Sequence, residues 1–262
     1  MTAQPGQGQK VIVTGAADGI GLVIAREFLA HGAQVHICDI DPDAVARALE
    51  AQPGFRGTVA DIGDSPQVQQ LFQEAFEWLG YVNVLVNNVG MAGPRAWTEN
   101  ISDGDWEQTI AVNLHGAFYC IKQALPAMKE HRNGVIINIS TVSVRTLPLM
   151  RSVYNVSKAA LESLTLTVAK EVGRFNIRCN ALRPGVMNNA RGNRNRARIA
   201  KEAGKTVAEL DQEYLQFVSM RTKIEQEEVA DMARFLASDG AKHVTGQIIA
   251  VDGNMEYEGV RE

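Results

Sequence analysis

Cysteine is scarce in this sequence, which contains only Cys38, Cys120 and Cys179 among its 262 residues. The three lie far apart among apolar residues, without a C-x-x-C pair or a cluster of histidines nearby, and this pattern argues against a metal site. We expect buried thiols that pack as small hydrophobic side chains, and we predict no metal.

The sequence also lacks long apolar runs and an excess of positive charge. No apolar run approaches the roughly 18 residues of a membrane-spanning helix. The opening MTAQPGQGQK has no charged segment followed by an apolar stretch, so it does not resemble a secretory signal. The net charge is −4, whereas nucleic-acid-binding proteins are usually basic. These absences predict a cytoplasmic protein without a membrane or nucleic-acid partner.

Hydrophobic residues make up 45% of the chain, enough to bury the core of one large α/β domain. Seven short runs are nearly all apolar, as expected for strands covered on both faces of a mainly parallel sheet. These runs are KVIVT at 10–14, QVHICD at 34–39, FRGTVAD at 55–61, VNVLVN at 82–87, GVIINIS at 134–140, NIRCNAL at 176–182 and QIIAVDG at 247–253.

Helix signals separate these strands. Asp41 before Pro42, and Ser65 before Pro66, place a capping residue ahead of a proline at the first helical position. Gly32 has the position of a residue that ends a helix. Strands that alternate with helices predict a doubly wound α/β fold.

No repeat or linker divides the chain, so we predict a single domain over residues 1–262. The polar, helix-prone segment at about 187–222 is inserted between the last two strands. Because ligands of such sheets bind at the carboxyl ends of the strands, we expect this insertion to cover the substrate.

A glycine-rich turn, TGAADGIG at 14–21, follows the first strand and opens a helix predicted over 19–31. Gly15 permits a tight turn, while Gly19 and Gly21 allow close approach of backbone or ligand. The free N–H groups at the start of the helix favour an anion such as a pyrophosphate. A Walker-type loop is excluded because no Gly-Lys-Ser/Thr follows.

Asp39 ends the second strand, 18 residues beyond Gly21. A carboxylate there would accept hydrogen bonds from an adenosine ribose diol and would repel a 2′-phosphate. The alternative role is a helix cap, but Asp41 already fills that position. No Arg or Lys lies in the glycine turn, so NAD is predicted over NADP.

Tyr154 and Lys158 lie four positions apart in the helical stretch VYNVSKAALESL. This spacing places both side chains on one helix face. An ammonium beside a phenol favours the phenolate, which would make the tyrosine usable as a base near neutral pH. A surface helix with one polar face explains the same pair, and the pair alone does not decide between the two interpretations.

Five motifs occur in order: TGAADGIG at 14–21, NNVG at 87–90, VNL at 112–114, YNVSK at 154–158 and PG at 184–185. With them, the chain resembles the classical short-chain dehydrogenases/reductases over nearly all of residues 8–255. The resemblance implies a Rossmann-like seven-stranded domain, a nicotinamide cofactor, a homotetramer, and a catalytic group of Asn, Ser, Tyr and Lys.

By this resemblance, Tyr154 is the general acid/base, and Lys158 assists it and holds the nicotinamide ribose. Asn113 matches the asparagine that helps hold a proton-relaying water. The family's catalytic serine, 13 residues before the tyrosine, is replaced by Thr141. Its hydroxyl can donate the same hydrogen bond to a substrate oxygen, although its added methyl makes it stiffer. We favour Thr141 over Ser140, and Ser143 is a remoter alternative.

The resemblance also implies a set of cofactor contacts. Asp61 and Ile62 match the pair that meets the adenine, Asn88 lies beside the adenosine half, and the loop from Pro184 to Met187 meets the nicotinamide carboxamide. The full predicted set is Gly15, Asp18, Gly19, Ile20, Gly21, Asp39, Ile40, Asp61, Ile62, Asn88, Gly90, Tyr154, Lys158, Pro184, Gly185 and Met187.

The predicted reaction is the reversible oxidation of a secondary alcohol to a ketone. The alternative enzyme is a 3-oxoacyl-thioester reductase, which usually takes the NADPH that Asp39 opposes. A non-catalytic NAD-binding sensor or scaffold is a third possibility, against which the complete Tyr/Lys/Asn set argues. Fold alone does not choose the substrate.

The basic segment at 191–205 lies in the expected lid. One interpretation is that an arginine there clamps an anionic substrate. The other, which we favour, is a solvated helix face or a subunit contact. Arg145 and Arg151 are further candidates to line the substrate pocket.

Overall fold

Seven strands form one sheet in the computed structural model, which describes residues 8–256 except for the side chain of Arg191. The segment 1–7, where a secretory signal is not expected, lies outside the described residues. The strands are β1 (Lys10–Thr14), β2 (Gln34–Asp39), β3 (Phe55–Val59), β4 (Val84–Asn87), β5 (Gly134–Ile139), β6 (Ile177–Pro184) and β7 (Ile248–Val251).

The strand order is β3-β2-β1-β4-β5-β6-β7, and every pairing is parallel. Connections therefore run in one direction from β1 to β3 and in the other from β4 to β7. The order reverses between β1 and β4, and the crevice at such a switch point is where ligands bind in doubly wound sheets. The predicted Rossmann-like fold is confirmed.

Ten α-helices are assigned in the described chain: α1 (Gly19–Ala30), α2 (Pro42–Ala51), α3 (Ser65–Leu79), α4 (Asp103–Ile110), α5 (Gly116–His131), α6 (Ser143–Thr146), α7 (Ser152–Val172), α8 (Ala190–Glu202), α9 (Val207–Leu215) and α10 (Gln226–Ala237). Helices α1, α2 and α10 supply the core on one face of the sheet, and α3, α5 and α7 supply it on the other. Cys38, Cys120 and Cys179 are all buried free thiols, as expected.

The central strands are covered on both faces, but the two edge strands are not. All four residues of β4 and all six of β5 are buried, whereas β3 alternates with exposed positions and β7 is only half-buried. The prediction that every strand is covered on both faces is therefore wrong for the edges, since apolar composition alone does not distinguish an edge strand from a central one.

The capping residues are partly those predicted. The Asp41 side chain accepts hydrogen bonds from the first turn of α2, with Pro42 as its first residue. At α3 the prediction of Ser65 is wrong: Asp64 is the cap, and its carboxylate accepts from the Gln67 N–H. Gly32 has φ +85°, as expected just past a helix end, although α1 ends at Ala30.

Helices α8 and α9 occupy the predicted insertion between β6 and β7. A buried ion pair joins them, because Arg196 Nε lies 2.9 Å from Asp211 Oδ1. Arg196 also donates to the carbonyl of Met187, which anchors α8 to the end of β6. Within residues 8–256, none of the helices combines the length and apolar character of a membrane span.

Candidate active site

A cleft of about 1140 Å³ opens at the carboxyl ends of the strands, over the switch point between β1 and β4. One end is lined by the glycine turn and by the residues that follow β2 and β3. The other end is lined by loops that follow β4 and β5 and by helix α8. We call these the turn end and the lid end of the cleft. Tyr154 and Lys158 line the same cleft.

The glycine turn has the backbone that only glycine adopts easily, since φ is +60° at Gly15 and +57° at Gly19. A Cβ at Gly21 would lie 2.2 Å from the Gly15 carbonyl oxygen, so a side chain there would force the turn apart. At Gly19 a Cβ would meet nothing within 4 Å. The turn is thus tightly packed on its inner side and open where α1 begins.

Asn88 connects this turn to the end of β4. Its amide donates to the carbonyls of Thr14 (3.0 Å) and Gly15 (2.9 Å). The Thr14 hydroxyl accepts from the backbone N–H groups of Asn88 and Val89. The Asn88 Oδ1 atom is buried at the cleft without a partner in the described chain, so it is an acceptor that a ligand would satisfy.

Acidic side chains surround the turn end. Asp39 accepts weakly from the N–H groups of Ala17 (3.3 Å) and Asp41 (3.4 Å), and Asp61 accepts from Gly63 at 2.8 Å. Both line the cleft, as does Asp18. Arg26 of α1 also reaches the lining. Sequence analysis did not find this arginine, because it lies outside the turn in which a basic residue was sought.

Lys158 is almost fully buried, with 2% of its surface exposed. Its ammonium donates to the carbonyl of Ile139 at 2.9 Å and to that of Val89 at 3.5 Å, so the ends of β4 and β5 fix its position. At Gly90 an added Cβ would lie 3.3 Å from the Lys158 Nζ. Gly90 therefore leaves room for the ammonium beside the cleft.

Asn113 lies in a π-helical segment, Ala111–His115, between α4 and α5. Such bulges redirect side chains and are frequent at functional sites. The Asn113 Oδ1 accepts from the Met91 N–H (2.7 Å), while its amide donates to the Met91 carbonyl and the Ser157 hydroxyl. Asn113 is buried beneath the cleft rather than in its lining. It ties the loop after β4 to α7.

The two hydroxyls after β5 have different surroundings. Ser140 donates to Glu162 Oε1 at 2.6 Å, and Arg183 forms a bidentate pair with the same carboxylate. Thr141 is half-buried, and among the described residues its hydroxyl interacts only with Ser143, at 3.3 Å from the Ser143 hydroxyl and 3.2 Å from its backbone nitrogen. Both residues line the cleft. The stronger competing contact is at Ser140, which leaves Thr141 the more available donor.

Tyr154 lies in the first turn of α7, on the same helix face as Lys158. The guanidinium of Arg151 lies over its ring, 4.5 Å from the ring centroid. Arg151 lines the cleft, whereas Arg145 does not. Two of the three arginines of α8 that line the cleft are ion-paired, Arg196 with Asp211 and Arg198 with Glu202.

The structure gathers nearly all the predicted site residues around one cleft. Those in its lining are Gly15, Asp18, Gly19, Ile20, Asp39, Ile40, Asp61, Ile62, Asn88, Gly90, Ser140, Thr141, Tyr154, Lys158, Pro184, Gly185 and Met187. Gly21 and Asn113 lie behind the lining. Sequence analysis missed Ser157, Glu162 and Arg183, which hold Asn113 and Ser140 in place, because their partners come from distant segments.

A glycine turn at the switch point, followed by an acidic residue at the end of β2, is typical of dinucleotide-binding proteins of the doubly wound class. Comparison with known sequences agrees. The sequence model of a family described as enoyl-(acyl carrier protein) reductase matches residues 15–256. The chain belongs to the short-chain dehydrogenase/reductase family of oxidoreductases.

Several relatives resemble the chain over nearly its full length. A tropinone reductase homologue of Arabidopsis thaliana is 32% identical, covering 97% of this chain and 95% of the relative. A 3-oxoacyl-[acyl-carrier-protein] reductase of Thermotoga maritima is also 32% identical, covering 95% and 98%. The crystal structure of NAD⁺-bound xylitol dehydrogenase superposes with a TM-score of 0.88 at 25% identity, covering 94% and 98%.

Proposed function

We propose that this oxidoreductase interconverts a secondary alcohol and a ketone with NAD, and that Tyr154 is its general acid/base. The observation that carries the proposal is the convergence of Tyr154, Lys158 and Thr141 on the cleft whose other end holds the glycine turn. The cofactor and the reacting groups would therefore share one cleft.

The residues at the turn end fit a dinucleotide. The first turn of α1 offers backbone N–H groups to a pyrophosphate. The unpartnered Asn88 Oδ1 and the Asp39 carboxylate are acceptors for ribose or adenine donors. Asp39 favours NAD because a second negative charge, on a 2′-phosphate, would be repelled. The NAD⁺-bound xylitol dehydrogenase, to which the chain is similar, supports the same choice.

Bound NAD would supply the hydride acceptor or donor. During oxidation Tyr154 would take the proton from the substrate hydroxyl, and the negative charge left on that oxygen would assist departure of the hydride from the carbinol carbon. Thr141 donates a hydrogen bond to the same oxygen. A positioned acid/base contributes about 10² to 10⁴ in rate, so losing Tyr154 removes most of the turnover.

Lys158 and Asn113 would support this proton transfer. The buried ammonium of Lys158, on the same face of α7 as Tyr154, would assist Tyr154 and hold the nicotinamide ribose. Asn113 holds the loop after β4 against α7 through Met91 and Ser157. We propose that these contacts, together with a relay water, maintain a path for protons from Lys158 to solvent.

A 3-oxoacyl-thioester reductase is the second candidate. The 32% identity to a protein named 3-oxoacyl-[acyl-carrier-protein] reductase favours it. Asp39 opposes the NADPH that such enzymes usually use, which is why we place this function second. Assays with a 3-oxoacyl thioester and both reduced cofactors separate the two candidates.

The chain would act as a homotetramer, as its family resemblance implies. Apolar side chains on the outer faces of α5 and α7 support this proposal, since Phe118, Val156 and Leu166 are each more than 40% exposed. Light scattering after size-exclusion chromatography would report about four times the 28.5 kDa chain mass.

The direct test of the function is NADH production, followed by absorbance, across a panel of secondary alcohols. We expect turnover with NAD⁺ for at least one alcohol and loss of that turnover in Lys158→Met. A protein that binds NADH but turns over no alcohol or thioester would instead be a sensor or scaffold.

A further inference from the structure

The two ends of the cleft differ in charge. Every acidic residue that lines it lies at the turn end: Asp18, Asp39 and Asp61. The lid end is lined by arginines and, within the described lining, by no acidic residue. These arginines are Arg95, Arg151, Arg194, Arg196 and Arg198.

Two of these arginines already have anionic partners. Arg196 is buried against Asp211, and Arg198 donates to Glu202 at 2.6 Å and to Asn195 at 3.1 Å. Arg95 and Arg194 are exposed and form no ion pair with any described residue. At the lid end, the charges of Arg95 and Arg194 are therefore not neutralised by an ion pair with any described residue.

Arg151 contacts the residue to which the proposed chemistry is assigned. It is half-buried, and its guanidinium lies 4.5 Å from the centre of the Tyr154 ring. When the carbinol of a substrate meets the Tyr154 hydroxyl, the Arg151 guanidinium would lie only a few bond lengths from the substrate. A planar guanidinium binds a carboxylate through two parallel hydrogen bonds, which fixes orientation as well as charge.

On the basis of the proposed function, we propose that the substrate is a small hydroxy acid, or the matching oxo acid, whose carboxylate is bound by Arg151. Arg95 and Arg194 add long-range attraction for the anion at the mouth of the lid end. Because Arg151 contacts the Tyr154 ring, the acids to test are those with the carboxylate one or two carbons from the reacting carbon.

The test compares charged and neutral substrates of similar size. With saturating NAD⁺, kcat/KM is measured for 2-hydroxybutyrate, 3-hydroxybutyrate, methyl 3-hydroxybutyrate and 2-butanol, using both enantiomers of each. One of the acids should exceed both neutral alcohols by at least about 100-fold. In Arg151→Met, kcat/KM for that acid should fall about 10- to 100-fold, as for loss of a charged hydrogen bond, and the neutral alcohols should change little.

Arg145→Met is the matched control, because Arg145, in α6, lies six residues before Arg151 but outside the cleft lining. Its kinetics should equal those of the wild type, and NADH affinity should be unchanged in both variants. Equal activity on acids and neutral alcohols would overturn the inference while leaving the proposed function intact. An equal fall for acid and neutral substrates in Arg151→Met would also overturn it, because Arg151 would then act only on Tyr154.

A binding measurement covers the case in which no alcohol is turned over and the proposed function fails. Acetoacetate and 2-oxobutyrate are titrated into the NADH complex while NADH fluorescence is followed. Saturable binding of an oxo acid that is weakened at least 10-fold in Arg151→Met supports the anion site. Absence of binding to the wild type, or equal binding to both proteins, contradicts it.

Discussion

Protonation of one buried histidine should control part of the pH dependence of stability. His36, on β2, is 3% exposed, and its Nε2 lies 2.9 Å from the Thr58 hydroxyl. That hydroxyl donates to Glu74, so His36 Nε2 must be the donor to Thr58. The other ring nitrogen, Nδ1, is buried without a partner among the described residues. A second proton would therefore be placed where nothing accepts it.

Burial lowers the pKa of His36 from 6.5 to about 4, against a smaller opposing effect of the Glu74 charge. Because the folded pKa is below the unfolded value, the unfolded chain binds the extra proton between pH 6.5 and 4. This contribution to stability is complete above pH 6.5 and is lost as the pH falls toward 4. At pH 5.0, which is about 1.5 pH units below 6.5, the free energy of unfolding is lowered by about 2 kcal/mol.

Urea unfolding at pH 7.5 and 5.0 measures this loss for the wild type and for His36→Gln, whose side-chain amide can still donate to Thr58. Between pH 7.5 and pH 5.0, the free energy of unfolding should fall less in the variant than in the wild type, and the difference should be about 2 kcal/mol. His243→Gln, at an exposed position, is the control and should behave like the wild type. Parallel pH dependence in wild type and His36→Gln would refute the reasoning.

Three further predictions concern the cleft and the core. Thr141→Val should lower kcat about 100-fold, whereas Thr141→Ser, which keeps the hydroxyl donor, should lower it only a few-fold. Equal losses in steady-state assays would exclude Thr141 as the hydrogen-bond donor to the substrate. Asp39→Ser should lower the ratio of kcat/KM for NAD⁺ to kcat/KM for NADP⁺ at least 10-fold, since charged hydrogen bonds contribute about 1.5–3 kcal/mol. An unchanged ratio would show that Asp39 does not determine the cofactor preference. Burial raises the pKa of Cys38 to about 12 and that of Cys120 well above its usual range. The native protein should therefore resist Ellman's reagent at pH 8 and react only after urea is added. Rapid labelling of the native protein would contradict this burial.

Features that depend on neighbouring residues in the sequence were predictable. The glycine turn lies at a strand-helix junction, and the strand run before it and the helix after it are both visible in the sequence. The Tyr154–Lys158 pair depends only on helical periodicity. The all-apolar runs predicted parallel strands because both faces of such strands are covered.

Features that depend on distant segments were not predictable. Ser140, Glu162 and Arg183 lie on or beside three different elements, β5, α7 and β6, and only their packing brings them together. The π-helical segment around Asn113 has no local sequence signal that we recognised. The same holds for the choice between Ser140 and Thr141, which depends on where the Glu162 carboxylate lies.

The most direct test of the central claim is the single substitution Tyr154→Phe, which removes only the phenol oxygen. With the best alcohol of the panel, kcat should fall by about 10² to 10⁴, while NADH affinity, measured by fluorescence titration, stays within a factor of about two. Tyr81→Phe is the control, because Tyr81 stacks on His131 and is not part of the cleft lining, and its kcat should equal that of the wild type. A Tyr154→Phe enzyme with near wild-type kcat would show that another group moves the proton.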